Sequence, residues 1–225
     1  MTEFNDQLAI EDLTLEELRP VLVDALLAHV PFDGWTEAAL ERAAEDLGIP
    51  ANRARLAFPE GAVDMVDAFT ERADAAMTAR LEALDVRSMK IRERIRLAVA
   101  VRLEQAAPHR ESVRRAVSIL AMPQNAARSA RTLWRTADAM WRAAGDTATD
   151  YNYYTKRLTL GGVYSSTLLV WLDDQSEDMA DTLGFLDRRI DGIMRFEKAK
   201  ARVQSAASRR PSLVRFLGRL RYPAI

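Results

Sequence analysis

From Leu158 to Leu172 the chain reads LTLGGVYSSTLLVWL, fifteen residues without a charge, and no other stretch limits the fold as much. As a helix it rises only about 22 Å, short of the roughly 20 residues needed to cross hydrocarbon. Ser165, Ser166 and Thr167 also argue against a membrane span. An apolar segment that stays out of the bilayer must be enclosed by its neighbours, so this one predicts a central helix buried on nearly every side. Gly161-Gly162 in its middle costs about 1 kcal/mol per glycine relative to alanine, which predicts close approach of a neighbour or ligand. Just before it come Tyr151, Tyr153, Tyr154, Lys156 and Arg157. At i,i+4 spacing Tyr153 and Arg157 share one side of the helix, and Tyr154 and Leu158 another.

The rest of the chain supplies the enclosure. With 225 residues, 48% of them apolar and 29% charged, it is long enough for a sizeable core. Thr14 with Glu17 is a capping-box pattern opening a helix whose stripe is Leu18, Val21, Leu22, Ala25 and Leu26. Pro31 to Gly34 predict its break. Thr36 caps a second helix through Leu47, with Ala39, Leu40, Ala43 and Leu47 inward, and Gly48-Ile49-Pro50 turns into a short third helix over Ala51–Phe58. Gly61–Leu84 is a long fourth helix with Met65, Phe69, Ala73, Met77 and Leu81 inward. Lys90–Ala106 is a fifth, with Ile91, Ile95, Ala98, Val99 and Leu103 inward. Glu111–Ala121, Gln124–Ala144 (capped by Gly145-Asp146), the central stretch, and Ser176 to about Val203 complete the body. In the last of these, Met179, Leu183, Leu186, Ile190, Ile193 and Glu197 form a seam suited to a bundle or a symmetry mate. No strand pattern appears, so the expected fold is all-α with about nine helices.

Residues 1–13 are read as a flexible leader, 14–203 as the helical domain, and 204–225 as a linker (Ser205–Arg210) followed by a basic amphipathic helix. That helix carries Leu213, Phe216, Leu217 and Leu220 on one stripe, with Arg215, Arg219 and Arg221 beside it. Eight basic residues stand against Glu197 alone from 197 to the end, a net +7. Residues 1–196 therefore carry −8 of the overall −1. A terminal helix of this kind predicts contact with anionic lipid through Leu213, Arg215, Phe216, Leu217, Arg219 and Leu220. The acidic first fifteen residues show no secretory or transit pattern.

Catalytic and metal motifs are missing. Zero cysteines and two histidines, His29 and His109, do not make an ordinary zinc site. Neither histidine has a glutamate three residues before it, as a helical di-iron site would need. No phosphate loop, nucleophile elbow or His-Glu-x-x-His occurs. Asp173-Asp174 and Asp187/Asp191 are carboxylate pairs, read as solvated helix-end or face charges. The expectation is therefore a non-enzyme. The outline of the first four helices resembles the amino-terminal half of the TetR regulators. From Asp33 to Phe58, however, Arg42, Arg53 and Arg55 face Asp33, Glu37, Glu41, Glu45 and Asp46, and a net-negative head is unsuited to phosphates.

Several motifs carry a closer resemblance. Phe32-Asp33-Gly34-Trp35-Thr36, Ser118 to Asn125 (SILAMPQN), Met140 to Asp146 (MWRAAGD) and above all Asp150 to Arg157 (DYNYYTKR) look like the Coq-nine family of ubiquinone-biosynthesis accessory proteins, over roughly residues 14–200. The resemblance implies a TetR-like, dimeric, non-catalytic protein without a cofactor of its own. Its bound molecule would be an isoprenoid, a quinone-like lipid or a phospholipid. It implies presentation of a polyprenylated quinone intermediate to the di-iron demethoxyubiquinone hydroxylase at the membrane. For a bacterial member, that places the protein in the cytoplasm, peripheral on the inner face of the inner membrane, with no nucleic acid expected. Carried over by position, partner contacts would be Asp138, Trp141, Asp150, Tyr153, Tyr154 and Arg157, with Tyr153 standing where eukaryotic members can carry tryptophan. Candidates to line the lipid site beside the central helix are Met140, Leu158, Leu160, Val163, Leu168 and Leu169. The alternative of another class is a TetR-like transcriptional regulator with a hydrophobic ligand.

Overall fold

The computed structural model describes residues 10, 12–84, 86–146 and 151–208, with side chains except those of residues 87, 151, 152, 194 and 196–208. The expected membrane-binding residues Leu213, Arg215, Phe216, Leu217, Arg219 and Leu220, and the partner candidate Asp150, lie outside the described residues. Within them are nine α-helices and no strand.

Helix α1, Leu15–Asp33, opens with the capping box. Thr14 N donates to Glu17 Oε2 at 2.9 Å and Glu17 N to Thr14 Oγ1 at 3.3 Å. It does not break at Pro31. Both Pro20 and Pro31 lie inside it, and the stop is Gly34, whose φ of 73° is left-handed backbone that favours glycine. The buried stripe is Leu18, Leu22, Val23, Leu26, Leu27 and Val30. Val21 and Ala25 are only half-buried, because α1 is covered from two sides and its buried face is wider than one seam.

Helices α2 (Glu37–Asp46) and α3 (Ala51–Ala57) meet at the Gly48 turn, φ 67°. Helix α4, Ala62–Glu82, buries Met65, Phe69, Ala73, Met77 and Leu81 as the periodicity predicts. In α5, Ile91–Ala106, the first predicted core residue is exposed, because Ile91 sits at the helix start beyond the reach of its neighbours. Trp35 joins the amino-terminal helices to the body. Its indole stacks 5.2 Å from Phe69 and donates to the Ser112 carbonyl at 3.0 Å, on α6, Arg110–Leu120.

Helices α7 (Ala126–Ala143) and α8 (Tyr151–Asp173) form an adjacent pair, and α9 (Ala180–Ser208) packs on α8 and α5. Helix α9 continues through Ser208, so residues 205–208 are helix rather than linker. Ala206 and Ala207 are strong helix formers and the next proline is Pro211. Leu186 and Ile190 of its seam are buried within this chain, with Met179 and Ile193 packed beside them. Arg92 and Arg96 of α5 hold Asp191 and Asp187 at 2.7 Å each.

Asp174 is a correction of another kind: it is buried, not solvated. Its Oδ1 accepts from Ser176 N (2.8 Å) and Oγ (2.6 Å), and its Oδ2 accepts from Thr182 N (2.9 Å) and Oγ1 (2.5 Å). This one carboxylate staples the end of α8 to the start of α9. Burial opposes its charge, but these four donors outweigh burial and hold the carboxyl far below the usual carboxylate range.

Candidate functional site

Helix α8 is central but not buried on every side. Leu160, Val163, Tyr164, Thr167, Trp171 and Leu172 are enclosed, while Tyr154, Leu158, Gly162 and Leu169 face outward. At about 100° per residue these four fall within one quadrant of the helix, so the uncharged run has a bare face. Gly161 packs on Leu133 of α7, whose Cγ lies 3.4 Å from where a Cβ would stand. Gly162 meets nothing within 4 Å. Close approach therefore explains only the first glycine. Among the described residues no helix is long and apolar enough to cross a membrane.

The start of α8 is built against the end of α7. That end is a Schellman cap. Gly145, φ 86°, donates to the Arg142 carbonyl at 2.8 Å, and Asp146 N donates to the Trp141 carbonyl at 2.9 Å. Arg94 of α5 donates to the Ala144 carbonyl at 3.0 Å, satisfying another terminal acceptor. The cap aims Asp146 at α8, where Lys156 Nζ meets its Oδ1 at 2.6 Å and Arg157 Nη1 its Oδ2 at 2.9 Å.

Arg157 is the keystone of this junction. It is 2% exposed, so this residue, carried over by resemblance as a partner contact, lies buried inside the junction. Its Nε donates to Asp138 Oδ1 at 2.7 Å, and its guanidinium lies 3.6 Å from the centre of the Tyr153 ring. Tyr153 Oη also donates to Asp138 Oδ1 at 3.2 Å, and Arg142 Nε holds Asp138 Oδ2 at 2.8 Å. Trp141 donates to the Lys156 carbonyl at 3.0 Å and lies beneath the Lys156 ammonium. Trp134, Tyr153 and Tyr154 stack with centroids 5.2–6.0 Å apart. Asp138, Trp141, Tyr153, Tyr154 and Arg157 are thus brought together, and of these Tyr154 is the one that stands exposed, at 59%. Leu158, one turn on, is 66% exposed. Arg142, Asp146, Lys156 and Trp134 are members the sequence reading did not assign. Trp134, Asp138 and Trp141, spaced four and three apart, were the available signal.

The lipid candidates divide differently. Leu168 and Leu169 line a cavity of about 300 Å³ between α4, α5, α6, α7 and α8. Met140, Leu160 and Val163 are buried and do not line it, and Leu158 lies on the bare face. Much of the wall is aliphatic or aromatic, including Phe69, Leu103, Val113, Val117, Leu120 and Leu133. Of the lining residues Ala121 and Leu169 are exposed, while Arg102, Leu103 and Tyr164 are among the buried ones. Arg102 was legible in sequence as a charge on the inward i, i+3, i+4, i+7 pattern of α5.

Around α2, the Gly48 turn and α3, Arg42, Arg53 and Arg55 are all engaged. Arg55 pairs with Glu37 and Glu41, and Arg42 pairs with Asp33. Arg53 donates to the carbonyls of Ile10 and Leu13.

A family model described as COQ9 matches residues 126–197, the segment holding α7, α8 and the junction. The rat "Ubiquinone biosynthesis protein COQ9, mitochondrial" is 34% identical over 197 residues, 84% of this chain and 63% of its own length. Its human counterpart is 32% identical over 84% of this chain and 62% of its own length. The Xenopus laevis protein COQ9-B is 33% identical over 84% of this chain and 67% of its own length. The chain thus spans less than two thirds of the rat and human relatives. A TetR transcriptional regulator from Nitrosomonas europaea superimposes with a TM-score of 0.63, covering 77% of this chain and 96% of its own, at 24% identity. That likeness is one of fold.

Proposed function

Because this chain belongs to the COQ9 family, we propose that it serves ubiquinone biosynthesis as a lipid-binding accessory protein, presenting a polyprenylated quinone intermediate to the di-iron demethoxyubiquinone hydroxylase. The relatives are named ubiquinone biosynthesis proteins, and the observation that carries the reading is the double use of α8. Its middle and carboxyl-terminal half wall an apolar cavity, while its first turns hold an aromatic cluster locked to α7. A polyprenyl lipid is too apolar to cross water unaided, each buried methylene contributing about 0.8 kcal/mol. Tyr154 and Leu158, side by side and bare, are a suitable anchor for a protein partner, as aromatic hot spots are. The acids paired with Arg42 and Arg55 favour this reading over a DNA-binding one.

The test has two arms. Native mass spectrometry of the chain, purified gently from membranes, should detect bound lipid, and Ala116→Trp, which fills the cavity from α6, should lose it. Tyr154→Lys should abolish capture of the purified hydroxylase with the unfolding midpoint unchanged. Wild-type protein that carries no lipid, or Tyr154→Lys protein that still binds the hydroxylase, would overturn the corresponding half of the proposal.

A further inference from the structure

Left-handed backbone outside glycine occurs at two described residues, Asp178 (φ 51°) and Met179 (φ 57°), side by side in the connector between α8 and α9. Such a conformation persists only where its surroundings enforce it. Aspartate visits it with help from a short polar side chain, which methionine lacks. Met179 is held through its side chain instead. Trp171 Nε1 donates to Met179 Sδ at 3.1 Å, and Met179 packs half-buried against the core. Trp171 is fully buried, and among the described residues this sulfur is the acceptor for its N–H. The Arg110 guanidinium lies 4.7 Å from the centre of the indole and donates to the Asp174 carbonyl, while Arg114 donates to the Leu172 carbonyl. One thioether thus fastens the strained connector to the end of α8.

We propose that Met179 is a site of reversible oxidation whose sulfoxide loosens the join between α8 and α9. A sulfur lone pair attacks one oxygen of hydrogen peroxide and the O–O bond breaks. The transferred oxygen gives its proton to the departing hydroxide, which leaves as water; the sulfur is oxidised and the peroxide reduced. The other methionines are placed differently. Met65, Met77 and Met140 are buried out of reach of peroxide. Met122 is exposed, but its sulfur accepts only from Gln124 in the same surface turn, at 3.4 Å, so its oxidation disturbs no buried group. Met89 is half-buried, and among the described residues no donor reaches its sulfur. Met179 combines an accessible position with a bond from a buried donor. Oxygen added on the Trp171 side has no room, because an N–H···O bond needs about 2.9 Å and the sulfur already stands at 3.1 Å. Added on the open side, it leaves a positively polarised sulfur facing the indole N–H. Either way the buried donor loses its partner, and the Met179 backbone is released from the left-handed region.

The full chain is titrated with hydrogen peroxide while peptide mass spectrometry follows each methionine. Met122 and Met179 should oxidise about tenfold faster than Met65, Met77 and Met140, since susceptibility follows exposure. Met122→Leu removes the surface site, and this variant should still lose about 3–6 °C of melting temperature on oxidation, with faster hydrogen exchange over residues 174–186. Met179→Leu keeps the packing volume without the sulfur. It should melt lower than wild type before treatment and shift by less than about 1 °C after it. Methionine sulfoxide reductases of both epimer specificities should restore the wild-type midpoint. Oxidation of Met179 no faster than that of buried Met65, an unchanged midpoint in oxidised Met122→Leu, or an equal shift in oxidised Met179→Leu would each overturn the proposal.

Discussion

Replacing Arg157 with alanine tests whether the α7–α8 junction is held by a buried ion network or only decorated by one. The change removes two charge-assisted hydrogen bonds, to Asp138 at 2.7 Å and to Asp146 at 2.9 Å, together with the contact over the Tyr153 ring. Bonds to charged groups contribute about 1.5–3 kcal/mol each, so the gross loss is about 3–6 kcal/mol. Arg142 stays on Asp138 and Lys156 on Asp146, so neither carboxylate is abandoned and the lower figure, about 3 kcal/mol, is expected. That agrees with the low end for breaking a buried pair. In a chain of this size about 1 kcal/mol moves the midpoint by about 2–4 °C, so the melting temperature should fall by about 6–12 °C. Urea unfolding read by tryptophan fluorescence is the assay, since Trp134 and Trp141 flank the junction. Arg157→Lys should recover about half, because one ammonium does not fork between two carboxylates. A loss below about 1 kcal/mol would place Arg157 with solvent-exposed pairs and refute the argument.

Two further changes read other parts of the molecule. Gly162→Ala should stabilise the monomeric fold by about 0.5–1 kcal/mol, because a Cβ there meets nothing and alanine is the better helix former; destabilisation in a denaturant titration would mean that another surface covers this face. Asp174→Asn should cost about 1–2 kcal/mol near pH 7, as loss of a capping carboxylate does. Its folded pKa is depressed, so its stabilisation is present above the unfolded value of about 3.9 and fades as pH falls below it. The gap between wild type and variant should shrink between pH 5 and pH 3, and a gap that grows on acidification would contradict the sign.

Helix positions were legible because apolar periodicity and caps are local. The Thr14 capping box and the stripe Met65, Phe69, Ala73, Met77, Leu81 stand in the structure as read. The break read over Pro31 to Gly34 falls at its last residue, because a proline late in α1 is tolerated and the stop is set by Gly34. Asp174 misled because a carboxylate beside a helix end looks the same in sequence whether water or Thr182 satisfies it. At the site, the cluster Tyr153, Tyr154, Lys156, Arg157 was visible as a decorated helix start, but its split into a buried arginine and a bare tyrosine was not.

The uncharged run Leu158–Leu172 by itself determined that one helix must sit among the others, since an apolar stretch of that length has nowhere else to go. Sequence likewise settled an all-α chain and its family, through motifs spanning only a few residues each. Only the tertiary structure decided which side of α8 is covered, that Gly161 rather than Gly162 meets a neighbour, and that Arg102 and Tyr164 line one cavity. Periodicity gives the faces of one helix. Burial is set by what packs against each face, and here that depends on α4, α5, α6 and α7, segments far away along the chain.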